Sequence, residues 1–388
     1  MRRAPAPSHQ SDATDTGHST LPGELTDIYA GSSGHPRQEL SDSIWPSHDR
    51  PDTPDAAERV MALPTVGHIG RYQLKYHLGK GGIGTVWAAY DPLLSRLVAI
   101  KTVPIDLPMG DPRRASPDFL GEARAAANLS HKHIVTVHDA GLSPEGAYIA
   151  MELLHGRDLA QMLRLGWRPS PVEAALIVRR VADALAYAHS RGVIHRDIKP
   201  GNIFMTGPSK PLVLDFGTAS VAYRSELPGQ PVFGSPYYAA PEQIQGQPTD
   251  ARTDVYALGV MFYELLCGEK AFGGRSLEEI TVAVQKGQPR PLDQIDASLP
   301  PELIAIATRA MARNPQQRYA GAAQMSTELR AWLAEHPDGE TSMRLDRFSR
   351  RSAGRRLAGG LRRIAPMLLT GGVAAGLTAM LMNLFQKH

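Results

Sequence analysis

Between His195 and Gly217 the chain reads HRDIKPGNIFMTGPSKPLVLDFG, which sets two carboxylates (Asp197 and Asp215), the lysine Lys199 and the amide Asn202 around two short apolar runs. Phosphoryl transfer needs groups of these types. Asp197 can orient a hydroxyl and accept its proton, and Lys199 can meet charge developing on a moving phosphoryl group. Asn202 and Asp215 offer hard oxygen ligands suited to Mg²⁺. A lone Asp in a loop is more often a turn or cap residue, so H-R-D by itself carries little weight. The full pattern H-R-D-x-K-x-x-N, with D-F-G beginning thirteen residues after Asn202, is far more restrictive.

This set of residues resembles the bacterial eukaryotic-type (Hanks-type) serine/threonine protein kinase family, and Lys199, two residues after Asp197, resembles its serine/threonine branch. The resemblance implies an α+β, bilobal protein kinase fold over about 69–335. A small antiparallel-sheet N-lobe with one helix would occupy about 69–152, and a mainly helical C-lobe about 153–335. ATP and Mg²⁺ are the implied cofactors, with Mn²⁺ as a substitute, and the implied reaction moves the γ-phosphoryl group to Ser or Thr hydroxyls of protein substrates. By the same resemblance Asp197, Lys199, Lys101 and Glu122 take the catalytic roles, while Asn202 and Asp215 hold the metal.

Elements elsewhere in the chain must position these groups. Strand-like YQLKYHL and TVWAAYD flank Gly79-Lys80-Gly81-Gly82-Ile83-Gly84 and predict a hairpin, with order beginning at Arg71. Gly79, Gly81 and Gly84 followed by Val86 fit G-x-G-x-x-G-x-V, whose backbone N–H groups can approach phosphates because no side chain intervenes. The same glycines also suit a plain hairpin turn. A strand rather than a helix follows them, which disfavours a dinucleotide fold. Ile83 stands where the family often has an aromatic tip. The predicted strand Arg96 to Val103 contains Val98-Ala99-Ile100-Lys101. A strand lysine is most often on a solvated face; by resemblance Lys101 instead holds the α- and β-phosphates and pairs with Glu122, on the predicted helix PDFLGEARAAANL. Strands around Ile134 to His138 and Ala147 to Glu152 would complete a five-stranded antiparallel sheet.

Met151-Glu152-Leu153-Leu154-His155-Gly156 resembles the hinge between kinase lobes. That resemblance places Met151 at the back of the adenine pocket, the main chain of Glu152 and Leu154 on the adenine edge, and Asp158 near the ribose. Leu78, Val86, Ala99 and Phe204 would sandwich the base, and Gly79, Gly81, Gly82 and Gly84 would cover the phosphates. Packing alone is the plain alternative for each apolar residue. The run from Pro171 has helical spacing and stops at Gly192. Asp215 to Glu242 corresponds to an activation loop closed by Ala240-Pro241-Glu242. Arg196 before Asp197 implies control by a phosphorylated residue in that loop. Of its hydroxyls, Thr218, Ser220, Ser225 and Ser235, the last would line the substrate-docking loop, which leaves Ser225 or Ser220 for autophosphorylation. By resemblance Asp254 supports the catalytic-loop backbone; stabilisation by a helix dipole is the plain alternative, and the two are compatible. Arg318 is expected to pair with Glu242, and helices near Pro301 to Ala312 and Ala322 to Ala334 finish the domain.

The 388 residues allow two or three domains, and a net charge of +3 is too small to suggest a nucleic-acid partner. The one cysteine, Cys267, excludes an internal disulfide or a thiolate cluster and suits a reducing compartment. Residues 1–68 are rich in Pro, Ser, Asp, Thr and Gly without period, and read as a disordered, mildly acidic tail, a solvated linker before a docking segment. Beyond Glu335 the composition changes. Arg344 to Arg363 holds eight arginines against the single acid Asp346, within a basic juxtamembrane linker at 336–363. Ile364 to Phe385 then runs for twenty-two residues without a charge, about 33 Å of helix against a hydrocarbon core of roughly 30 Å. We expect a single transmembrane helix there, ahead of an interfacial one, with the arginines holding the kinase on the cytoplasmic side of the inner membrane. Gly372 and Gly376 form a G-x-x-x-G pair suited to a homodimer.

Two rival readings share the fold. A degenerate scaffold would lack the Lys, the catalytic Asp or the D-F-G Asp, and all three are present. A small-molecule phosphotransferase would have no use for the Ala240-Pro241-Glu242 segment and the docking loop before it.

Overall fold

A computed structural model describes residues 58, 60–81, 84–103, 121, 125–143, 146–216 and 236–337. The first strands are β1 Gly67–Ile69, β2 Tyr72–Gly81, β3 Gly84–Asp91, β4 Arg96–Val103, β5 Val137–Ser143 and β6 Gly146–Glu152. They form one antiparallel sheet in the order β1-β2-β3-β4-β6-β5.

The sheet thus has six strands, not five. The addition is β1, only three residues long and with one buried apolar side chain, so period-2 patterning misses it. Gly70, at φ +53°, closes its hairpin and sets Ile69 opposite Tyr72. The fifth strand also lies later than expected, starting at Val137. Ile134 makes a parallel bridge to Val213, Val135 N donates to Val213 O, and Val213 N donates to His133 O. These residues satisfy their backbone against the C-lobe and are lost to the sheet.

Alternation along the strands gives the sheet two apolar faces. Val98, Ile100, Ala89, Tyr72 and Leu74 pack on one side. Ala99, Ile149, Met151 and Val135 pack on the other, with Val86, Leu154 and Leu214 against them. The second face looks onto the hinge.

The C-lobe holds β7 Arg157–Asp158, β8 Ile203–Met205 and β9 Pro211–Val213, paired as a small sheet. Its helices are α1 Leu159–Arg164, α2 Pro171–His189, α3 Pro241–Ile244, α4 Ala251–Cys267, α5 Leu277–Lys286, α6 Leu292–Ile295, α7 Pro301–Ala310 and α8 Ala322–Glu335. Helix α2 starts where its sequence says it should, with Pro171 in the first turn and a reciprocal capping box between Ser170 and Glu173. Helix α4 is buried almost all round, from Thr253 to Leu265, and so forms the axis of the lobe. Each fully buried Leu, Ile or Phe in this core contributes about 1.5–3 kcal/mol.

Among the described residues no helix is long and apolar enough to cross a membrane. The expected span at 364–385, the linker at 336–363 beyond residue 337, Gly82, Ile83, Glu122, Gly217, and the loop hydroxyls of Thr218, Ser220, Ser225 and Ser235 lie outside the described residues. Of the tail expected at 1–68, residues 58 and 60–68 are described, and the last two of them already belong to β1.

Candidate active site

His195 to Asn202 is held from below by one carboxylate. Asp254, fully buried in the first turn of α4, accepts His195 N at 2.8 Å, Arg196 N at 2.7 Å and His189 Nε2 at 2.7 Å. Burial by itself would raise its pKa; the bonds from His189 and the loop amides outweigh that and hold it below the usual carboxylate range. Both sequence readings for Asp254 hold: it supports the catalytic-loop backbone and stands in the first turn of α4, at the positive end of the helix dipole. His195 in turn uses Nε2 toward Leu214 O at 2.7 Å and accepts Asp197 N at Nδ1, which requires the proton on Nε2. The ring lies edge-on to Phe216, so the two motifs meet directly.

This support fixes the polar groups above it. Lys199 Nζ donates to Asp197 Oδ2 at 2.6 Å, and Asn202 Nδ2 donates to the same oxygen at 2.9 Å and to Asp197 O at 2.7 Å. Both donations engage the amide nitrogen of Asn202, so its Oδ1 is the atom left for a ligand. Asp215, at φ +61°, is in a left-handed backbone conformation that Asp tolerates better than most residues, and Arg196 shares it at φ +66°. That turn directs the Asp215 carboxylate to Lys101, with Nζ to Oδ2 at 2.7 Å. Lys101 is 7 % exposed, which removes the solvated-face reading.

Glu122, the expected partner of Lys101, lies outside the described residues; among the described residues the carboxylate that meets Lys101 is Asp215. Sequence spacing carried no signal for this contact, because it joins β4 to a turn more than a hundred residues later.

Ala99 and Met151 are opposite one another in the β4–β6 register and share an apolar cluster with Val86 and Leu154. Leu78, 44 % exposed, is on β2, and Phe204, on β8, has its ring edge against Gly156. Glu152 N donates to Thr136 O, and Glu152 Oε1 accepts Thr136 N at 2.7 Å. The main chain of Leu154 makes no hydrogen bond among the described residues and is open to a ligand edge. Asp158 Oδ1 is used as the N-cap of α1, accepting Gln161 N at 2.7 Å, and burial raises its pKa. Gly79, Gly81 and Gly84 are on the β2–β3 hairpin, whose last register pair is Gly81 with Gly84.

Glu242 and Arg318 meet as expected, in a bidentate pair at 2.7 and 2.8 Å. A link that sequence reading missed runs from the same segment to the catalytic loop: Gln243 Nε2 donates to Arg196 O at 2.9 Å, and Gln243 Oε1 accepts Ala240 N. Lys270, Tyr238 and Glu264 form another such cluster, with Lys270 Nζ 2.5 Å from Glu264 Oε1.

The donor set fits a nucleotide with Mg²⁺. Among the described residues no three His, Cys, Asp or Glu side chains converge on a metal position. Mg²⁺ takes one or two protein oxygens and completes its shell with phosphate and water, so Asn202 Oδ1 and the Asp215 carboxylate suffice.

The protein kinase domain family matches residues 72–329. The probable serine/threonine-protein kinase PknB of Corynebacterium glutamicum is 38 % identical over 270 residues, covering 67 % of this chain and 42 % of that protein. The serine/threonine-protein kinase PknE of Mycobacterium bovis is 35 % identical over 272 residues, covering 69 % of this chain and 47 % of that one. The chain therefore spans less than half the length of these curated relatives. Among solved structures, the PknI kinase domain of Mycobacterium tuberculosis is similar at a TM-score of 0.54 and 29 % identity, covering 70 % of this chain and 99 % of that domain.

Proposed function

The chain belongs to the protein kinase family, and from that premise we propose that it moves the γ-phosphoryl group of ATP to Ser or Thr hydroxyls of proteins. The observation that carries the reading is the fixing of Asp197 Oδ2 by Lys199 and Asn202, which leaves Oδ1 toward an incoming hydroxyl.

In this reading Asp197 orients the acceptor hydroxyl and takes its proton as the oxygen attacks phosphorus. Lys199, already against Asp197, turns its charge to the transferred oxygens. Lys101 holds the α- and β-phosphates, and Asn202 and Asp215 hold Mg²⁺. The metal, when bound, neutralises phosphate charge and aligns the leaving group. Val86, Ala99 and Leu78 form the roof over the base, Phe204 the floor, and Met151 the back, with Glu152 and Leu154 offering main-chain groups; Glu122 would take up Lys101 when Asp215 turns to the metal. The glycines of the β2–β3 hairpin, Gly82 included, cover the phosphates.

Beyond the chemistry, the sequence supports phosphorylation of Ser220 or Ser225 as the activating event, read by Arg196. It also supports a membrane anchor at 364–385, with the kinase on the arginine-rich cytoplasmic side and Gly372 and Gly376 as a dimer contact.

Labelled ATP with a generic protein acceptor tests the core reading. Wild type should label it and Lys101→Met should not. Equal labelling by the two would remove the mechanism, and labelling of small hydroxyl compounds alone would favour the small-molecule phosphotransferase.

A further inference from the structure

Lys75 has no part in the site just described, yet it is 6 % exposed. It stands at a break in the β2–β3 register, between Leu74 opposite Ala89 and Tyr76 opposite Ala88. The extra residue of such a bulge re-aims its side chain, so Lys75 turns inward beside the buried Leu74 rather than alternating outward. Its ammonium reaches the segment that precedes β1. Nζ donates to Met61 O at 3.0 Å, to Leu63 O at 3.0 Å and to Thr65 Oγ1 at 3.3 Å. Residues 60–62 are helical, so two of these acceptors are the carbonyls at the end of a helical turn, where a cation is favoured. Val66 N donates to Leu74 O and completes the strap.

All three acceptors are neutral, and among the described residues no carboxylate pairs with Lys75, so the buried ammonium meets only carbonyl and hydroxyl oxygens there. The third acceptor is a threonine hydroxyl on an exposed, irregular stretch, Leu63-Pro64-Thr65-Val66. A phosphate on that oxygen would bring an anion within reach of Nζ.

We propose that Thr65 is a phosphoacceptor and Lys75 the receptor of its phosphate, so that modification fastens the strap ahead of β1 to the strand that carries the glycine loop. The inference rests on the kinase reading for the source of the group. Thr65 Oγ1 bonds to the γ-phosphorus of ATP, the bond from that phosphorus to the β–γ bridging oxygen breaks, the hydroxyl proton passes to the base, and ADP leaves. The phosphothreonine dianion then replaces the hydroxyl as the third acceptor of Lys75. Its hold is on β2, at the root of the nucleotide-covering hairpin.

The test uses the full chain in two arms. In the first, wild type and Asp197→Asn are incubated with ATP and a generic acceptor, and modified residues are mapped by mass spectrometry. Phosphate on Thr65 in wild type alone supports the proposal; a labelled acceptor with Thr65 bare overturns it while leaving the kinase reading intact. In the second, which needs no activity, phosphothreonine is installed at position 65 during synthesis. Hydrogen exchange at residues 60–66 should slow about five- to tenfold relative to the unmodified chain, as expected when a charge-assisted bond replaces a neutral one. Lys75→Met should cancel that slowing; it removes a buried cation that has no carboxylate partner among the described residues, so the fold is expected to tolerate it. Unchanged exchange in the phosphorylated chain, or equal slowing with Lys75→Met, overturns the receptor role.

Discussion

Replacing Arg318 with Met should strongly destabilise the domain. Arg318 is 3 % exposed and uses all five of its N–H groups. Nη1 donates to Glu242 Oε1 and Arg252 O, Nη2 to Glu242 Oε2 and Arg313 O, and Nε to Ala312 O. Methionine fills much of the stem's space but leaves Glu242 buried with one remaining side-chain donor, Thr253 Oγ1 at 3.0 Å. Removing one partner of a buried pair costs about 3–5 kcal/mol, most of it from the charge left behind. The double variant Glu242→Gln with Arg318→Met should lose less than the sum of the two single losses, with a coupling of about 1–3 kcal/mol. Urea unfolding followed by circular dichroism measures each value. The sign with pH is a second check. Burial alone would raise the Glu242 pKa, but the bonds from Arg318 outweigh it and hold it below the usual range. The pair's contribution is therefore fully present above the unfolded-state pKa of about 4.3 and is lost as pH falls through the lower folded-state value. In Arg318→Met the carboxyl instead prefers its proton, so the gap between wild type and variant should be widest near neutrality and shrink toward pH 4. A loss below about 1 kcal/mol, or a gap that widens with acid, would refute the reasoning.

Asp254→Asn can satisfy only part of the donor set at His195, Arg196 and His189, and should lower kcat by about 10- to 100-fold while leaving the folded helix content intact; a steady-state assay with circular dichroism tests it. Gly156→Ala would place a Cβ 1.9 Å from Met205 O at φ +139°, so the hinge must distort, and a loss of about 2 kcal/mol or more is expected in thermal unfolding. Ser170→Ala removes the capping box at the start of α2 and should cost about 1 kcal/mol by urea titration, with no change in KM for ATP.

Much of the site was legible because its groups are close in sequence. His195 to Asn202 spans eight residues, and their types and spacing predict the loop before any packing is known. The helices were legible where a start is local, as at Pro171 for α2. The sheet was read less well. Strand β1 is too short to show a period, and Ile134 and Val135 look like strand residues because they are apolar, although the backbone bonds of His133 and Val135, on either side of Ile134, run to Val213 in the other lobe.

By itself the sequence determined which chemical groups are present, the order of the elements that carry them, and the ends of most helices, since capping, chain stiffness and hydrophobic period act over a few residues. Only the tertiary structure decided that the Asp215 carboxylate meets Lys101, that Asp254 faces the catalytic loop as well as a helix dipole, and that a bulge turns Lys75 inward. Each of these joins residues far apart in the chain, and such pairings are set by how layers pack and where backbone groups find partners, which no local pattern encodes.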